Sequence, residues 1–154
     1  MDNYELAYYK WERDQEMTNG RAKGANFERL LCSMCVEAFG DCVDPKRNLE
    51  QTRSGGSDIC GVPGWSIEAK RYSSNAGNGF KPQWWAQCCE QANEEGQEPV
   101  LIYKYDRQPI KCVVRLSSIN ADYAGKDNVA EISFSTWCMI VREGWADADL
   151  RDTD

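Results

Sequence analysis

The chain contains no histidine among its 154 residues. That absence removes the central residue of serine–histidine hydrolases, of histidine-ligated metal nucleases and of HExxH metalloproteases. Acid–base chemistry must come instead from carboxylates, lysine, tyrosine, cysteine or metal-bound water. No apolar run approaches the ~20 residues that a membrane-spanning helix requires. The opening segment MDNYELAYYKWERDQEM is acidic and lacks the basic-then-apolar order of a leader peptide, so a cytoplasmic protein with no membrane partner is expected.

An excess of basic charge is missing as well, since the net charge is −7. Its distribution matters more than its size. Residues 1–20 carry a net −3 and residues 143–154 a net −4, which leaves the body of the chain neutral. Acidic positions offset by a bound cation would leave the remaining bases free to form a positive surface.

Eight cysteines are present, at 32, 35, 42, 60, 88, 89, 112 and 138. In a reducing compartment they are expected to be free thiols that pack as small hydrophobes. A metal site built on Cys32, Cys35 and Cys42 is the alternative, without a second CxxC pair to complete it.

One domain is implied by the length. Tyr4, Tyr8 and Trp11 recur at helical spacing over residues 4–17, and Asn19-Gly20 ends that pattern. Residues 1–20 are therefore read as an amphipathic helix and a candidate dimer element. A second helix over about 22–39 carries Phe27, Leu30, Leu31, Met34, Cys35 and Ala38 on one stripe. Short strands are expected at 47–53 and 57–60, with Gly61-Val62-Pro63-Gly64 as a turn. Residues 65–71 alternate, placing Ser66, Glu68 and Lys70 on one face and Trp65, Ile67 and Ala69 on the other. A helix over about 82–95, strands at 99–105, 110–116 and near 130–134, and a short helix capped by Ser135 complete the order. The pattern predicts an α/β domain over residues 21–144 with a central mixed sheet, followed by a frayed acidic tail at 145–154.

The chemistry concentrates in SGGSDICGVPGWSIEAKRY, residues 54–72. Strand periodicity projects Glu68 and Lys70 together, and the turn folds Asp58 back beside them. Two carboxylates and the carbonyl of Ala69 suit Mg²⁺, a hard ion that prefers oxygen ligands. Lys70, next to that cation, is placed to orient or deprotonate a water. Gly55 and Gly56 leave backbone room for a phosphodiester to approach. This is the composition of a phosphodiester-hydrolysing site.

These residues resemble the PD-(D/E)XK nuclease superfamily, whose restriction-endonuclease-like fold includes Holliday junction resolvases of phage and archaeal type. Ser57-Asp58 stands where the first half of the motif has proline and aspartate; Glu68-Ala69-Lys70 is the second half. KGANFERLL (residues 23–31) resembles the superfamily's preceding helix and nominates Glu28 as a further catalytic acid and metal ligand. PQWWAQCCEQA (residues 82–92) resembles the helix whose glutamine faces the site; Gln87 is the first choice and Gln91 shares its face. The resemblance spans about residues 21–116 and implies a three-layer α/β fold. It also implies Mg²⁺ as cofactor with Mn²⁺ as substitute, no small-molecule cofactor, and branched DNA as substrate in a bacterial or phage-infected cell. A twofold homodimer follows from the need to cut two strands symmetrically.

Arg21, Lys23, Lys46, Arg47, Arg53, Arg71, Lys81 and Lys104 lie on or beside the elements around the site and are nominated for phosphate contacts. Competing readings are a restriction, repair or recombination nuclease on duplex or flapped DNA, a non-catalytic DNA-binding protein of the same fold, and a cysteine-rich metal-binding regulator.

Overall fold

The computed structural model describes residues 2–8, 20–49, 56–74, 77–125 and 128–152. Six strands form one mixed sheet in chain order: β1 (Lys46–Arg47), β2 (Ile59–Cys60), β3 (Trp65–Tyr72), β4 (Glu98–Tyr105), β5 (Lys111–Arg115) and β6 (Val129–Ser133). β3 and β4 run parallel, from Trp65 opposite Glu98 to Tyr72 opposite Tyr105. The other neighbouring pairs are antiparallel. A parallel pair needs a long crossover, and helix α3 (Pro82–Glu95) supplies it. Proline at the first turn presets that helix. Gly96 closes it at φ +66°, its N–H returning to the carbonyls of Ala92 and Asn93.

Helices α1 (3–8), α2 (Gly20–Phe39) and α4 (Phe134–Asp152) cover the opposite face. Two cores result. Phe27, Leu31, Trp137 and Tyr8 pack with Ile67, Val100, Ile102, Cys112 and Val114 on one side. Trp84 and Cys88 of α3 pack with Leu101, Tyr103, Tyr105 and Val113 on the other. The alternation along β3 and β4 is that of a strand covered on both faces, and the three-layer α/β architecture is the expected one. Among the described helices none is long and apolar enough to cross a membrane.

Two expectations about the last helix need revision, and the N-terminal helix is described only in part. The described part of the N-terminal helix turns its aromatic face inward: Tyr8 is buried and meets Phe27 edge-on at 6.0 Å, while Tyr4 meets Phe134 at 5.7 Å. Those two rings dock on their own domain; Trp11 lies outside the described residues. The last helix is capped by Ser133, whose Oγ accepts the Thr136 N–H at 3.1 Å, not by Ser135. It also runs through the segment expected to fray. Trp145 anchors it, stacking edge-on with Phe39 at 5.2 Å and donating its Nε1 hydrogen to the Pro63 carbonyl at 3.0 Å. Of the strand expected at 47–53, only Lys46–Arg47 is described as β-structure, and residues 50–55 lie outside the description.

Candidate active site

The turn after β2 depends on backbone that only glycine supplies. Gly61 has φ +96°, and a Cβ there would lie 1.9 Å from the Asp44 carbonyl oxygen. Gly64, at φ +87°, completes the reversal. The hairpin pairs Ile59 with Ile67, and Asp58 N–H donates to the Ile67 carbonyl at 3.0 Å. The next donor along β3, the Ala69 N–H, is taken by the Asp58 carboxylate, Oδ2 accepting at 2.8 Å. Asp58 thus ends the ladder with its side chain, at the point where β2 diverges and the edge of β3 opens.

Glu68 and Lys70 project on the α3 side of β3. Lys70 Nζ stands 3.6 Å from Glu68 Oε1. Asp58 is 7% and Glu68 2% exposed, and Glu68 Oε2 is buried without a hydrogen-bond partner among the described residues. Burial, followed by the charge of Asp58, pushes the Glu68 carboxyl well above the ordinary carboxylate range; Lys70 opposes this only in part. Glu28, on α2, feels the same pressure, mainly from burial, and accepts a hydrogen bond from Arg47 Nε at 2.8 Å.

A groove of about 540 Å³ opens beside Lys70. It is lined by Gly20, Lys23 and Gly24 at the start of α2 and by Ala69, Lys70, Arg71, Tyr72 and Ser73 at the end of β3. Among the described residues no group of three or more Asp, Glu or Cys side chains converges as a metal cage. The two carboxylates that act on each other at the start of β2 are those of Asp58 and Glu68. Mg²⁺ retains most of its waters and is held by one or two carboxylates plus substrate phosphate. A close, buried pair with one unpaired oxygen fits such an ion, and Glu28 adds negative charge nearby while its own carboxylate engages Arg47.

A model of the phage putative PDDEXK endonuclease family matches residues 19–141. The chain belongs to that family. That membership supports a nuclease, and PD-(D/E)XK nucleases generally use divalent metals. The solved structure of Hjc, a Holliday junction resolvase from the archaeal hyperthermophile Archaeoglobus fulgidus, is similar at 18% identity and a TM-score of 0.45, over 73% of this chain and 89% of that one. No curated protein matches the chain.

Several residues of this chain sit otherwise than the sequence suggests. Lys104, nominated for phosphate, is 1% exposed; its ammonium donates to the carbonyls of Tyr105 (3.0 Å) and Gln108 (2.6 Å) and lies over the Tyr8 ring. It is a structural clamp. Lys23 and Arg71 reach the groove, yet both pair with Asp106, at 3.1 and 2.7 Å. Lys81 lies beside the stacked rings of Tyr72 and Trp84. Arg21 is exposed at the start of α2, and Arg53 lies outside the described residues.

Gln87 is exposed, whereas Gln91 is half-buried with Oε1 shielded and without a hydrogen-bond partner among the described residues. The inward stripe of α3 is Trp84, Cys88 and Ala92. At ~100° per residue, Gln91 lies ~60° from Cys88 and Gln87 ~100° away, so Gln91 is the glutamine turned toward the sheet.

Gly56 does not leave room for substrate: a Cβ there would meet Asn48 at 3.0 Å and Glu95 at 3.4 Å. The residues that fill this space, Asn48 and Glu95, were missed because nothing local in the sequence ties positions 48 and 95 to position 57. All eight cysteines are free thiols, with Cys42 exposed and Cys35 buried. Burial pushes the Cys32 thiol up to about 11, and Cys32, Cys35 and Cys42 form no metal-holding group.

Proposed function

We propose that the protein is a Mg²⁺-dependent DNA endonuclease that hydrolyses phosphodiesters in branched DNA, with Mn²⁺ able to replace Mg²⁺, and that it acts as a homodimer. The observation that carries this reading is Glu68: a buried carboxylate beside a second one, with Oε2 unpaired and a lysine 3.6 Å from Oε1. Burying two carboxylates together without a cation is unfavourable, and a folded chain that keeps them so has a use for the cation. When bound, a divalent ion would neutralise phosphate charge and lower the pKa of a bound water.

The chain's own residues divide the remaining tasks. Asp58 and Glu68 would hold the cation together with the Ala69 carbonyl, and the Ala69 N–H fixes the Asp58 carboxylate. Lys70 donates hydrogen bonds to the attacking water and to the phosphate, orienting one against the other. The groove between α2 and β3 receives the strand, with Lys70 at its wall and Lys81 beyond Tyr72. Gln91 lies along the site from the α3 side. The choice of branched DNA rests on the resemblance of residues 21–116 to a superfamily that includes Holliday junction resolvases, and two symmetric cuts call for twofold symmetry.

The test is a panel of linear, nicked, flapped and four-way DNA with Mg²⁺, run beside Glu68→Ala and Lys70→Ala. Cleavage of the four-way junction is expected, with at least about a hundredfold loss in either variant and none in EDTA. Undiminished cleavage by either variant, or cleavage in EDTA, would sink the reading. Cleavage confined to linear or flapped DNA would retain the nuclease and replace the substrate.

A further inference from the structure

The residue before Asp58 is held by the end of α3. Ser57 N–H donates to Glu95 Oε1 at 2.7 Å, and Ser57 Oγ lies 3.3 Å from Glu95 Oε2. The N–H bond is the firm one, since the single Ser57 hydroxyl proton is shared between Glu95 Oε2 and the Ile59 carbonyl, also at 3.3 Å. Gln97, in the amide orientation that satisfies its neighbours, donates to Glu95 Oε2 at 3.2 Å and to the Trp65 carbonyl at 3.0 Å. The same carboxylate thus connects the approach to β2 with the first residue of β3.

Glu95 is itself well placed to act as a fixed point. It is the last residue of α3, immediately before the left-handed Gly96 that closes the helix. Its Oε1 occupies the space beside Gly56, where φ is +103° and a Cβ would stand 3.4 Å away.

What this grip controls is the aim of Asp58. Both peptide groups of Asp58 are held by neighbouring segments: its N–H donates to the Ile67 carbonyl and its own carbonyl accepts the Asn48 N–H at 2.8 Å. β2 begins only at Ile59, and Ser57 lies outside it. A proline at position 57 would fix its own φ and offer no N–H. Serine leaves φ free and offers the N–H as a handle, and Glu95 takes it.

We propose that Glu95 is a positioning residue of the metal site, anchoring Ser57 so that the Asp58 carboxylate points at the cation shared with Glu68. This rests on the metal-dependent reading above and adds a residue to it that touches neither substrate nor cation. The charge of Glu95 is not the point; its ability to accept the Ser57 N–H is.

The experiment is Mn²⁺ binding to the purified full-length protein, followed by electron paramagnetic resonance. It compares wild type with Asp58→Asn, Glu95→Ala and Glu95→Gln, with amide exchange measured at residues 56–60. Asp58→Asn should abolish binding. Glu95→Ala should weaken it about ten- to a hundredfold, with faster exchange at Ser57. Glu95→Gln keeps an amide oxygen for the Ser57 N–H and should stay within about threefold of wild type. Wild-type affinity in Glu95→Ala, or equal loss in Glu95→Gln, overturns the positioning role alone. If wild type does not bind Mn²⁺, the metal-dependent reading falls and this proposal with it.

Discussion

Glu68 is an acid that the folded chain tolerates rather than one that holds it together. Its carboxylate is taken out of water, one oxygen has no partner among the described residues, and Asp58 repels it. Leaving a charged group so placed costs about 1–3 kcal/mol. Folding raises its pKa, so the folded state binds the proton more tightly than the unfolded chain. Its contribution to stability is complete below the ordinary carboxylate range and is lost as pH rises through the elevated value. Glu68→Gln keeps the shape and removes the charge. In EDTA at neutral pH it should stabilise the protein by about 1–3 kcal/mol, a rise of roughly 3–10 °C in midpoint, while removing cleavage. The gain should shrink toward pH ~5. Thermal unfolding of both proteins across that range reads it directly, and a Glu68→Gln variant less stable than wild type at neutral pH would contradict it.

Secondary structure tells which of these features a sequence can reveal. β3 was legible because its alternation sets Glu68 and Lys70 on one face, and the glycine turn that returns Asp58 is a local signal. Lys104 was not. It lies on β4, which is covered on both faces, so neither direction of its side chain leads to water. It satisfies its charge on the carbonyls of Tyr105 and Gln108 instead. The pairing of Lys23 with Asp106 spans 83 positions, and that of Ser57 with Glu95 spans 38; no local pattern encodes either. For α3 the period was right and the phase was not, because Gln87 and Gln91 share a flank while only Gln91 is turned inward. Gln91→Ala should therefore reduce kcat/KM by about tenfold or more. Gln87→Ala, a change at an exposed position, should stay within a factor of about two. Single-turnover cleavage measures both, and the reverse ranking would restore Gln87.

For the molecule as a whole, the question is how a chain of net charge −7 approaches a polyanion. Much of that charge is at the far end. Residues 143–154 carry a net −4, and Trp145, where this segment begins, packs on Phe39 at the C-terminal end of α2. The groove lies at the other end of the same helix, at Gly20, Lys23 and Gly24. Twenty residues of helix span ~30 Å, and the seven residues of α4 beyond Trp145 cover only ~10 Å. The described part of the tail, to Asp152, therefore stays roughly 20 Å or more from the groove. At physiological ionic strength the screening length is ~8 Å, and at 0.01 M it is ~30 Å. Removing residues 147–154, which leaves Trp145 in place, should change DNA affinity by less than about twofold in 0.15 M salt. In 0.01 M salt the same deletion should tighten binding several-fold, roughly threefold or more. Fluorescence anisotropy with Glu68→Gln as the non-cleaving background separates the two conditions. A large gain at physiological salt would mean that the tail folds back across the groove and competes with the phosphates there.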